Sequence, residues 1–223
     1  LITLLDNLNK RQQQQLPPEV PRQHLLEQSG LSPAILAALA SKGIVEIFTR
    51  EINRFNYTGT EQGELPKLSA PQSEALDSIH RMFIDKNVTL LHGVTSSGKT
   101  EIYIHLIDYI LNKCSQALYL VPEIALTTQL TRRLQKVFGK RVIIYHSKFS
   151  DNERVDIWKR MLHDPSPCVV IGARSSLFLP FSRLGLVIVD EEHESSYKQF
   201  DPAPRYNARD CAIVLASMHG AKT

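Results

Sequence analysis

A chain of 223 residues, 43% hydrophobic and 7% aromatic, is long enough for one full α/β domain and a small partner domain. Its net charge of +3 is too weak to mark a nucleic-acid binder by itself. No apolar run reaches membrane-spanning length and no signal peptide is present, so no membrane partner is expected. Cys114, Cys168 and Cys211 are widely spaced and odd in number, which reads as cytosolic thiols rather than a disulfide frame or a metal site.

Residues 1–57 are expected to form a separate domain. Leu1 to about Gln15 reads as a helix, broken by Pro17, Pro18 and Pro21. Arg22 to Gln28 reads as a second helix closed by Gly30. Ser32-Pro33 predicts an N-cap followed by proline in the first turn of a third helix. That helix carries Ile35, Leu36 and Leu39 on one face and stops at Gly43. Ile44–Phe48 and Glu51–Phe55 read as two strands. This is the element order of a winged helix, with Pro33–Lys42 as its DNA-reading element. Lys42 is the only clear cation there, so a protein-docking role is equally compatible. Residues 58–69, with Gly59, Gly63 and Pro66, read as a linker.

Residues 70–223 alternate helical and buried-strand patterns. Expected in order are helix Pro71–Lys86, strand Val88–His92, helix Lys99–Asn112, strand Ala117–Val121, helix Glu123–Phe138 and strand Arg141–Tyr145. Helix Asp151–His163, strands Cys168–Gly172 and Leu186–Asp190, and helix Asn207–Met218 follow. Such alternation predicts an α/β fold, a parallel sheet with helices on both faces.

Within it, residues 93–100 read Gly93-Val94-Thr95-Ser96-Ser97-Gly98-Lys99-Thr100, the G-x-x-x-x-G-K-[ST] pattern, between an apolar run and a helix. The two glycines permit the backbone turns, and the loop N–H groups with the helix start cradle phosphate oxygens. Lys99 is the expected partner of the β and γ phosphates, and Thr100 of Mg²⁺. A second site follows the apolar run 185–189, which ends in Asp190-Glu191-Glu192-His193. Acids at the carboxyl end of a buried strand lie beside the phosphate loop in such sheets. Asp190 is expected to hold Mg²⁺, and Glu191 to polarise the attacking water. The loops 122–129, with Thr127 and Gln129, and 172–178, with Arg174 and Ser175, also follow strands. Their side chains suit sugar-phosphate contacts. From Thr131 to Arg160 nine Lys/Arg stand against three Asp/Glu, a local basic excess that hints at nucleic acid.

Together these motifs resemble those of superfamily 2 helicases. Segments 93–101, 121–129, 171–181 and 189–199, with His146-Ser147, Glu153-Arg154, Trp158 and 205–210, are similar to the bacterial primosomal replication-restart helicases. The resemblance implies that the α/β fold is a RecA-like phosphate-loop NTPase domain, with ATP- and Mg²⁺-driven 3′→5′ DNA unwinding at stalled forks in the bacterial cytoplasm. The implied partners are forks and single-stranded DNA, primosome proteins and single-strand-binding protein. It places Gln72 on the adenine edge and makes His193 the link between nucleotide and DNA. Tyr197, Lys198, Arg205 and Tyr206 belong by resemblance to an aromatic loop that senses single-stranded DNA. Ala173 departs from the threonine many members carry. The family's second lobe with its arginine finger, its zinc module and its amino-terminal DNA-binding domain are not in this sequence, which reads as part of a longer protein. An arginine finger is worth about 10³–10⁵ in rate, so this polypeptide alone is expected to bind ATP weakly and not to unwind DNA. The competing expectation is a nucleotide-gated docking module whose winged helix binds protein partners.

Overall fold

The computed structural model describes residue 20 and residues 22–30, 32–47, 63–94, 97–122, 128–146 and 149–223. The expected helix Leu1–Gln15 and strand Glu51–Phe55 lie outside these residues. The chain divides into two compact units, Leu1–Ile52 and Asn53–Thr223.

In the first unit, α1 spans Arg22–Ser29 and α2 spans Pro33–Ser41. Ser32 takes the extended cap conformation before Pro33, but its side chain makes no cap hydrogen bond. Gly43 ends α2 with φ +68°, a conformation glycine adopts without a Cβ penalty. Its N–H and that of Ile44 donate back to Ala40 and Leu39. Of the expected apolar face, Leu36 is buried while Ile35 stands 47% exposed. The described residues 44–47 of the expected strand Ile44–Phe48 form no ladder, and residue 48 lies outside the description.

The second unit opens on Gly63–Ser69, expected as linker but packed along the domain. Gly63 N–H donates to the Val137 carbonyl, and the Pro66 carbonyl meets His105 Nε2 at 2.8 Å. Then come α3 (Ala70–Asp85), α4 (Lys99–Asn112), β1 (Gln116–Leu120), α5 (Thr128–Phe138), β2 (Val142–Tyr145), α6 (Asp151–His163), β3 (Val169–Gly172), β4 (Leu184–Val189) and α7 (Ala208–His219). Residues 123–127, expected to begin α5, lie outside the description. The four strands form one parallel sheet in the order β2-β3-β1-β4.

Each strand is buried on both faces, so its side chains alternate between two cores. Ala117 and Tyr119 of β1 point with Val169, Ile171, Leu186 and Ile188 into the core covered by α3, α4 and α5. Leu118 and Leu120 point with Ile143, Val170 and Val187 into the core covered by α6 and α7. Helix α7 meets β4 through Ala208, Ala212 and Ala216, spaced one helical turn apart and all buried. Small side chains there let helix and sheet approach closely.

The expected strand Val88–His92 is corrected. The segment has hydrogen-bonded neighbours only at its start, where Thr223 receives from Thr89 N–H and donates to the Asn87 carbonyl. On its other side Lys222 bonds the backbone of Gly185 and Val187 in β4. Residues 90–93 and β4 line a groove of about 490 Å³, and Leu90 is 73% exposed. A strand is defined by its ladder partner, and residues 90–92 pair with none among the described residues.

The cysteines are free thiols in three environments, with Cys114 exposed and Cys168 buried. Burial pushes the Cys168 thiol up to about 11. Thiolate is the reactive form, so at pH 8 Cys114 should alkylate first and Cys168 only once the fold opens. Peptide mass spectrometry after timed alkylation checks this; equal rates at both positions would contradict the burial.

Candidate functional site

The ligand edge of a parallel sheet is the carboxyl end of its strands, where β1 and β4 deliver the chain into loops. Asp190 follows β4 directly, and its N–H donates to the Leu120 carbonyl at 2.9 Å, so the β1 ladder fixes it. Tyr197 is 1% exposed and donates its hydroxyl to the Asp190 carbonyl at 2.6 Å; the Leu120 carbonyl lies 3.2 Å from the same hydroxyl. The Asp190 carboxylate receives one phenol on each oxygen: Tyr119 at 2.9 Å and Tyr103 at 3.4 Å. Burial raises its pKa from the ordinary carboxylate value, and the Tyr119 bond opposes that rise. Burial and the nearby Asp190 charge push both phenols well above their usual range, which keeps them protonated donors.

Glu191 adopts φ +47°, an uncommon left-handed conformation for a residue with a side chain. Its N–H donates to Asp190 Oδ1. Its carboxylate lies 3.2 Å from Lys99 Nζ, which also donates to the Gly93 carbonyl at 2.9 Å. The phosphate loop and the acid box, 92 residues apart in sequence, thus meet in one ion pair. Lys99 and Thr100 begin α4, and Gly98 before them takes φ +83°. A Cβ on Gly98 would run into the Gln72 amide, so no larger residue fits there without displacing Gln72. Thr95 and Ser96 lie outside the described residues; Val94 is exposed and its carbonyl receives the Ser97 N–H.

Gln72, expected on an adenine edge, lies beside the loop with both ends engaged. Its Nε2 donates to the Gly98 carbonyl at 3.2 Å, and its Oε1 receives the Ser69 N–H in the capping box of α3. His193 is exposed with Nε2 3.8 Å from Glu191 Oε2. Glu192 is held by Arg209 of α7 at 2.8 Å.

The residues expected on DNA are partly redistributed. Gln129 is exposed on the first turn of α5, and Thr127 lies outside the described residues. Arg174 and Ser175 sit in a 3-10 turn, Arg174–Phe178, and Arg174 donates to the Lys198 carbonyl at 3.0 Å. Tyr197 is corrected: its ring is core, so it offers no stacking surface. The exposed rings are Phe178 and Phe200, with Tyr206 edge-on to Phe178 at 5.4 Å. Lys198 is half-buried and Arg205 exposed beside them. The basic excess of 131–160 does not form one patch. Helix α5 packs on one face of the sheet through Leu134 and Val137, and α6 on the other through Ile157 and Met161. Arg133 is moreover paired with Glu101.

Sequence reasoning missed Tyr103, Tyr119 and Arg209 as parts of this site. Tyr119 carried a signal, a polar-tipped ring within an aliphatic run Ala117-Leu118-Tyr119-Leu120-Val121, where a buried phenol needs a partner.

Residues 69–217 match the DEAD/DEAH box helicase family, and residues 1–52 match the winged helix domain of PriA helicase described for Bacteroidota. The chain is 40% identical over 206 residues to the replication restart protein PriA of Bacillus subtilis, covering 90% of this chain and 25% of that protein. The Synechocystis protein of the same name is 41% identical, covering 87% and 23%, and the Haemophilus influenzae one 43%, covering 83% and 26%. The chain therefore spans about a quarter of the length of the curated relatives it matches. With more than half of its residues inside the helicase match, the chain belongs to the DEAD/DEAH box helicase family, and it begins in a winged helix of the PriA type.

Proposed function

We propose that this chain is the nucleotide-binding part of an ATP-driven 3′→5′ DNA helicase that restarts stalled replication forks in the bacterial cytoplasm. The observation that carries the reading is the convergence of Lys99, Glu191 and the tyrosine-held Asp190 at one sheet edge. The similarity to three replication restart proteins supports the biological setting. Forks and single-stranded DNA are the proposed substrates, and primosome proteins and single-strand-binding protein the proposed partners.

In this reading Gly93–Thr100 binds the triphosphate, with Lys99 exchanging its bonds to Gly93 and Glu191 for phosphate oxygens. Thr100 and Asp190 suit Mg²⁺: both offer hard oxygen donors, and the half-buried carboxylate is desolvated enough to gain from a cation. When bound, Mg²⁺ neutralises charge on the phosphates. Glu191 orients and deprotonates the attacking water once Lys99 releases it. Gln72 holds the loop glycine and lies near enough to serve the base edge. Gln129, Arg174, Ser175, His193, Lys198, Arg205 and Tyr206 form the proposed DNA side, with Phe178 and Phe200 as its exposed rings. Zinc belongs to other parts of the full-length protein.

Two outcomes test this. In the full-length protein, Glu191→Gln should cut DNA-stimulated phosphate release by about 10²–10⁴-fold, the usual worth of a general base. Nucleotide binding should survive, tightened by no more than about fivefold, because the substitution also removes the ion-pair competitor for Lys99. Full restart function in this variant would favour the docking-module alternative. The isolated 223-residue polypeptide, which spans 25% of its Bacillus relative, should bind a fluorescent ATP analogue weakly and unwind no forked duplex. A phosphate-release assay with and without single-stranded DNA measures the point, and robust stimulated turnover contradicts it.

A further inference from the structure

The motif that contains Asp190 holds its carboxylate only in part, through the Glu191 N–H on Oδ1. Its firmest side-chain partner is Tyr119, on the neighbouring strand and 71 residues earlier. Tyr119 is fully buried in β1, which runs between β3 and β4 in the sheet. Its hydroxyl donates to Asp190 Oδ2 at 2.9 Å. Tyr103, edge-on to Tyr119 with ring centroids 5.6 Å apart, reaches the other carboxylate oxygen at 3.4 Å. Two phenols therefore hold the carboxylate read as a cation ligand, one on each oxygen.

We infer that Tyr119 is a positioning residue for the magnesium site, holding the Asp190 carboxylate in place and so setting how much Mg²⁺ the nucleotide complex needs. The inference rests on the reading of Asp190 and Thr100 as the Mg²⁺ ligands. A phenylalanine would fill the same space in the sheet, so packing does not require the hydroxyl. A ligating carboxylate must present one rotamer to a small, geometrically demanding cation. Outer-shell hydrogen bonds to such ligands fix that rotamer, and losing one typically costs about 10–100-fold in metal affinity. Tyr119, Tyr103 and the Glu191 N–H each donate a single proton, and a carboxylate has about four lone-pair sites, which leaves one for the cation.

The test uses the full-length protein and equilibrium binding of a fluorescent ATP analogue titrated with magnesium chloride. Tyr119→Phe should raise the half-saturating Mg²⁺ concentration by about tenfold. Its affinity for the analogue in EDTA should equal that of the unaltered protein, as should its affinity at saturating Mg²⁺. A merely structural tyrosine would lower thermal stability and leave the Mg²⁺ midpoint in place. Asp190→Asn serves as the control and should shift the midpoint at least as far. If Asp190→Asn has no effect on the Mg²⁺ dependence, the ligand reading itself fails. If Asp190→Asn shifts it and Tyr119→Phe does not, the inference about Tyr119 is overturned while that reading stands. Should Tyr119→Phe not fold, Tyr103→Phe carries the test with a smaller shift in the same direction, and an unmoved midpoint overturns the inference there too.

Discussion

A carboxylate drawn largely out of water at the end of a central strand is the constraint around which this domain is arranged. Asp190 is kept there by five bonds: the ladder to Leu120, the two phenols of Tyr119 and Tyr103, the Glu191 N–H, and the Tyr197 hydroxyl on its carbonyl. Desolvating a carboxylate disfavours its charged form, and the phenol donors offset part of that cost. The same fixation explains the strained residue that follows. With Asp190 immobile, the chain must turn sharply to bring the next carboxylate to Lys99, and Glu191 does so at φ +47°. Strain of this kind costs about 1–3 kcal/mol and persists only where the surroundings over-determine it, which Asp190 and the Lys99 ion pair do.

That rigidity reaches the rest of the domain through the sheet. Alternation along β1 sends Tyr119 to the phosphate-loop face and Leu118 and Leu120 to the other. One strand therefore serves both cores and still delivers a hydroxyl to the site. Opposite it, the alanine stripe of α7 seats that helix on β4, and Arg209 from its first turn reaches Glu192. The acid box is thus braced from below by β1 and from the side by α7. The groove between β4 and residues 90–93 lies next to this braced edge, with Lys99 and Glu191 among its walls.

What was legible in the sequence was local. The phosphate loop, the acid box and the helices Lys99–Asn112 and Asp151–His163 declare themselves because their residues are near neighbours in the chain. The contacts of Tyr119 and Tyr103 with Asp190 span 71 and 87 residues, so strand register and not spacing creates them. Tyr197 was misread for a related reason: a ring in a polar loop can face either way, and here two backbone carbonyls draw it inward. The strand expected over Val88–His92 has the right residues, but a ladder belongs to a pair of segments, and among the described residues only Asn87 and Thr89 bond to a neighbouring backbone there. The basic run 131–160 dissolves for a topological reason: β1 to β2 and β2 to β3 step along the sheet in opposite directions, and right-handed crossovers then place their helices on opposite faces.

The redistribution of the DNA-side residues makes mechanical sense under the proposed function. Tyr197 grips the backbone of Asp190, and its neighbour Lys198 receives Arg174 from the turn after β3. Gln199 then closes the following loop, its N–H on the Tyr206 carbonyl and its amide on Pro202 and Pro204. Three consecutive residues, 197–199, thus carry separate hydrogen bonds to the acid at the nucleotide edge, to Arg174 and to Tyr206, which stands edge-on to Phe178. A buried tyrosine is better suited to this than an exposed one. A ring stacked on a base would report on DNA but leave Asp190 untouched, whereas a ring locked in the core makes displacement of either end a displacement of the other.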